Sequence, residues 1–66
     1  MYKVVIKLNN MTNISVNMNY LQFKEFNTNI QLFTWLTLNN YTDDLDNEVV
    51  INVKNISAIL YKEENN

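Results

Sequence analysis

The chain contains neither glycine nor proline in its 66 residues. Every reversal of direction must therefore be made by residues that carry a Cβ and a backbone N–H. Asn and Asp are the residues other than glycine that best tolerate positive φ. The clusters Asn9-Asn10, Asn27 with Asn29, Asn39-Asn40 and Asp46-Asn47 are accordingly the candidate turns. Cysteine and histidine are absent as well. No disulfide, thiolate metal site or imidazole zinc site can brace the fold. A domain of this size buries only about 60% of its unfolded surface, so its core is thin. Self-association is the common support that remains open to it.

Five lysines and no arginine stand against seven acidic residues, a net charge of −2. Lys3, Lys7, Lys24, Lys54 and Lys62 are spread along the chain, and the fork donor best suited to phosphate and guanine is missing. Direct binding of DNA or RNA is not expected. Neither a membrane-spanning run nor a secretory leader is legible, and the expected location is the cytoplasm.

Hydrophobic periodicity divides the chain into six elements. Tyr2, Val4, Ile6 and Leu8 alternate with Lys3, Val5 and Lys7, the pattern of a half-buried strand. After a turn at Asn9–Asn13, Ile14, Val16 and Met18 alternate with Ser15 and Asn17. These two strands should pair as a hairpin. Asn19 followed by Gln22 has the spacing of a capping box, and Phe23, Phe26 and Ile30 fall on one helical stripe. A short helix is predicted over Tyr20–Asn27, stopped by Asn27–Asn29. Further strands are predicted at Ile30–Leu38, Val49–Val53 and Ile56–Lys62. A polar loop over Asn39–Glu48 separates the first two of these, and Lys54-Asn55 forms a turn or bulge between the last two. The expected fold is α+β in the order β-β-α-β-β-β, a single domain over residues 1–62 with a frayed tail at 63–66. One helix would cover one face of a mostly antiparallel five-stranded sheet.

One helix covers one face only, yet the later strands are apolar on both. With the registers drawn simply, Phe33, Trp35, Val50, Ile59 and Tyr61 share the face opposite the helix, and Val5 can join them. The sheet can curl into a small barrel with these side chains inside. A bulge at Lys54-Asn55 can instead switch the last strand over. Otherwise the face is an interface, for a protein partner or for a homo-oligomer.

The loop carrying Tyr41, Asp43, Asp44, Asp46 and Glu48 is a second candidate contact, for a basic partner surface. It lacks the glycine and the ligand spacing of a calcium loop, and no metal or cofactor is expected. Catalysis is not expected either. The usual bases and thiol nucleophiles are absent, and no glycine-rich phosphate loop can be built.

The opening run Val4-Val5-Ile6-Lys7-Leu8-Asn9-Asn10 and the closing run Val50-Ile51-Asn52-Val53-Lys54-Asn55-Ile56-Ser57-Ala58-Ile59 resemble the hairpins of short accessory proteins of phages and prophages in low-GC Gram-positive bacteria. The closing run is also similar to the small swarming-motility proteins of flagellar operons, whose first turn normally carries a glycine that this chain lacks. The phage resemblance implies a protein that binds and inhibits a host or defence component. The expected function is thus a non-enzymatic protein-binding module. The alternatives are an oligomer that sequesters a small ligand such as a nucleotide, or a virion or assembly component.

Overall fold

The computed structural model describes residues 1–64. The order of elements is β1 (Tyr2–Leu8), β2 (Asn13–Met18), α1 (Tyr20–Leu32), β3 (Trp35–Thr37), β4 (Val50–Asn52) and β5 (Ile56–Glu63). Short 3-10 turns at Leu38–Asn40 and Val53–Asn55 follow β3 and β4. The β-β-α-β-β-β order and the antiparallel pairing are as the periodicity predicts. The single five-stranded sheet is not. The strands form a three-stranded sheet in the order β2-β1-β5 and a separate β3-β4 pair. The 3-10 turn at Val53–Asn55 makes this break. Asn52 Oδ1 accepts from Lys54 N–H at 2.9 Å, turning the chain a corner before β5 begins.

The capping box is formed. Asn19 Oδ1 accepts from Gln22 N–H at 2.8 Å, and Gln22 Oε1 accepts from Asn19 N–H at 2.9 Å. The helix then runs on to Leu32 rather than stopping at Asn27. Each Asn or Thr in a helix interior costs only about 0.5–0.7 kcal/mol against Ala. Continuing the helix brings Ile30 onto the core and lets Asn29 Nδ2 donate to Tyr41 Oη at 2.9 Å. Packing therefore outweighs propensity. The strand expected over Ile30–Leu38 shrinks to Trp35–Thr37, and Phe33 is the C-terminal cap of α1.

The core lies between α1 and the inner face of the sheet. Val4, Ile6, Val16 and Met18 meet Phe23 and Phe26, and Leu36, Leu38, Tyr41 and Ile51 close it from the β3-β4 side. Each of the larger side chains contributes about 1.5–3 kcal/mol by leaving water.

The last strand corrects the simple register. Lys7 pairs with Ala58 but Leu8 pairs with Ile56, so Ser57 is an extra residue, and its Oγ donates to Lys7 C=O at 3.1 Å. This bulge puts Ile56, Ile59 and Tyr61 on the face of Val4, Ile6 and Leu8, the face that α1 covers. Bulges keep an apolar set on one side where strict alternation would flip it. Ile59 and Tyr61 are thus not opposite the helix. β5 also takes in Glu63, and Glu64 N–H donates to Met1 C=O at 2.8 Å. Residues 63 and 64 of the expected frayed tail therefore extend the ladder. Residues 65 and 66 lie outside the described residues.

Among the described residues, positive φ occurs at Met11, φ 69°, and not at any asparagine. In the β1–β2 turn, Met11 N–H donates to Leu8 C=O at 3.0 Å and Leu8 N–H to Thr12 C=O at 2.9 Å. This is a tight turn followed by a left-handed residue, the place where hairpins usually put glycine. A Cβ there costs about 1–2 kcal/mol. The Met11 side chain is 92% exposed and contributes little packing in return. Met11→Gly should stabilise the domain by about 0.5–1 kcal/mol once the added freedom of the unfolded chain is subtracted. Thermal melts should show a rise of a few degrees.

Candidate partner-binding surfaces

The candidate residues do not form one face. Phe33 and Trp35 lie at the corner where α1 ends and β3 begins. Trp35 pairs with Asn52, and Thr37 with Val50. These four share the outer face of the β3-β4 pair, because buried Leu36 and its partner Ile51 take the inner one. Leu32, Phe33 and Trp35 are 69%, 54% and 61% exposed. Three residue steps span at most about 10–11 Å, so these exposed side chains lie around one corner of the fold. Val50, also exposed, continues it towards the acidic loop.

Ile59 and Tyr61 belong to a different neighbourhood. Tyr61 lies beside Phe23, ring centroids 4.8 Å apart, and Tyr2 stacks on Phe23 at 4.6 Å. Tyr20 completes the cluster, 6.4 Å from Tyr2. Between this cluster and the helix residues Lys24, Asn27, Thr28 and Gln31 runs an open groove of about 340 Å³. Burial first, then the negative charge of Glu63 and the neighbouring Tyr20 and Tyr61, raise the Tyr2 phenol above its ordinary value.

The acidic loop has two parts. Tyr41 is 4% exposed, packed edge-on against Phe26 at 5.6 Å, and is core rather than contact surface. Thr42 is 2% exposed. Its Oγ1 donates to Asn17 C=O at 2.7 Å and accepts from Asp44 N–H at 3.1 Å. Asp44 Oδ2 accepts from Asn17 N–H at 2.7 Å. Both outward backbone groups of Asn17 are thereby taken, and the loop covers that end of the free edge of β2. Asp44 is engaged in this clamp. Asp43, Asp46 and Glu48 are exposed. Among the described residues, no group of three or more Asp or Glu side chains is arranged to hold a metal ion.

Folding also gathers what the sequence scatters. Lys3 pairs with Lys62, Val5 with Leu60 and Lys7 with Ala58, so three of the five lysines share the outer face of the sheet. Glu64 lines the hollow at its end together with Met1, Lys3 and Asn17.

Leu32, Thr42 and the Tyr2–Tyr20 pair are absent from the sequence reading of the surfaces. Leu32 is missed because the helix is drawn too short. Thr42 carries no local signal, since its partner Asn17 is 25 residues away.

No family model, curated protein or solved structure matches the chain.

Thr42→Val keeps the side-chain shape but strands Asn17 C=O and Asp44 N–H. It should cost about 1–3 kcal/mol in chemical denaturation. Amide exchange at Asn17 should quicken ahead of the rest of the sheet.

Proposed function

We propose that the domain is a non-enzymatic protein-binding module whose contact surface is the Leu32, Phe33 and Trp35 corner, bordered by Val50. The observation that carries this reading is that large apolar side chains so close in sequence remain mostly in water. Singly exposed apolar residues are ordinary, but several large ones gathered at one corner cost solubility and are a common mark of an interface. Trp and Phe are typical interface anchors, since they offer much area for few rotatable bonds.

The exposed Asp43, Asp46 and Glu48 lie in the loop that leads into β4, immediately before Val50. They give the corner an acidic border, suited to a partner with a basic rim around an apolar centre. Such border charges act mainly on the rate of encounter. The chain has no histidine or cysteine with which to run the commoner acid–base or nucleophilic chemistry. The resemblance to short phage accessory proteins makes a host or defence protein the natural partner, with binding as the means of inhibition.

Trp35 is the single tryptophan of the chain and so reports on its own site. Adding the cognate partner should shift its emission to shorter wavelength as water leaves the indole. Trp35→Ala should leave the unfolding free energy within about 0.5 kcal/mol of the parent while weakening partner affinity by about 30-fold or more. An affinity unchanged by both Trp35→Ala and Phe33→Ala would place the contact elsewhere.

A further inference from the structure

We infer that the free edge of β5 pairs with β5 of a second copy of this chain, joining two three-stranded sheets into one antiparallel sheet of six strands.

The phase of the ladder shows which groups are free. Glu64 N–H donates to Met1 C=O, so these two are a hydrogen-bonded pair. In an antiparallel ladder such pairs recur every second residue. Lys62, Leu60 and Ala58 therefore turn their N–H and C=O towards β1, as their pairing with Lys3, Val5 and Lys7 requires. Ile59, Tyr61 and Glu63 turn theirs outward. β5 is the terminal strand of its sheet, and among the described residues no loop or side chain takes those groups. The opposite edge is treated differently, since Thr42 and Asp44 occupy Asn17 on β2. The β2 edge is thus blocked at Asn17, whereas nothing among the described residues takes the outward groups of β5.

The open edge has its protection at its ends, the bulge by Ser57 and the charges of Lys62 and Glu63, and none at its centre. No proline, charge or bulge interrupts Ile59, Leu60 and Tyr61. Ile59 to Tyr61 is a regular apolar stretch of the kind that pairs with another strand.

The occupant is a second copy because the strand complements itself. A two-fold axis normal to the sheet keeps each face continuous across the junction. Centred on Leu60, it sets Leu60 against Leu60 of the partner copy on the outer face. Ile59 then lies against Tyr61 of the partner copy on the inner face, an aromatic and β-branched pair of the favoured kind. Lys62 falls against Ala58, and Glu63 against Ser57, so no like charges meet directly. The two Ile59–Tyr61 pairs would exchange about four backbone hydrogen bonds. Each Ile59 side chain would also sit at the mouth of the groove beside the other copy's Tyr61. The surface buried by one edge is small, which places the dimer in the weak, micromolar class.

The test uses the natural chain across about 10–300 µM, with mass from light scattering and backbone amide exchange followed residue by residue. The expected result is a concentration-dependent dimer in which the Ile59 and Tyr61 amides exchange more slowly as concentration rises. Two variants should run as folded monomers over the same range. Leu60→Lys sets like charges face to face, and Tyr61→Pro removes an outward N–H without touching the β1 ladder. Trp35→Ala should still dimerise, because its corner lies on the other strand pair. A natural chain that stays monomeric at the highest concentration would overturn the proposal, even if it captured a foreign extended peptide at this edge. So would a dimer whose Ile59 and Tyr61 amides gain no protection, or one that Trp35→Ala dissolves. Should either variant fail to fold, the amide measurement on the natural chain decides alone.

Discussion

Both flanks of the three-stranded sheet hang on β1. It pairs with β2 on one side and β5 on the other, and its Val4 and Ile6 have no exposed surface. Its inner face is the floor on which α1 rests. A slip of one residue in either pairing would exchange Val4 and Ile6 for Lys3 and Val5 at that floor. The bulge at Ser57 is the local adjustment that lets an eight-residue strand keep Ile56, Ile59 and Tyr61 in phase with β1.

A chain without glycine or proline still has to turn, and asparagine does this with its side chain. Asn10 Oδ1 accepts from Thr12 N–H, Asn19 from Gln22, Asn39 from Val49 and Asn52 from Lys54. Each of these bonds occupies a backbone donor that the bend leaves without a ladder partner. The same economy explains Thr42 and Asp44, which act on a strand edge as the asparagines act on bends. Part of the polar loop that reads as surface chemistry in the sequence is therefore structural.

The strands β1 and β2 and the start of α1 were legible because their signals are local: alternation, an Asn-rich turn and a capping box. The end of α1 was not, because Asn27, Thr28 and Asn29 look like a stop and become helical only through contacts with Tyr41 and the core. Turns or bends do fall at Asn9-Asn10, Asn39-Asn40 and Asp46-Asn47 but not at Asn27 and Asn29, which are helical, and the cause is not positive φ, which falls on Met11. The candidate surfaces divided along the same line. Exposure of Trp35 and Phe33 follows from local position. Assignment of Ile59 and Tyr61 to a face depends on a one-residue bulge that leaves no mark in the hydrophobic pattern. Burial of Tyr41 and engagement of Asp44 rest on partners far away in sequence, which periodicity cannot register.

The β1–β5 ladder joins the first described strand to the last, with Tyr2 opposite Glu63 and Lys7 opposite Ala58. Nearly the whole chain is the loop that this pairing closes. Loop-closure entropy grows only slowly with length, so stability suffers little. The rate of folding is more exposed, because contacts of long sequence separation must be found before they reward the chain. During synthesis the β1–β2 hairpin and α1 emerge early, but the central strand keeps a bare edge until β5 leaves the ribosome. For that interval the nascent chain carries an unpaired central strand on an apolar sheet, and its passage to the folded state depends on how quickly β1 and β5 meet.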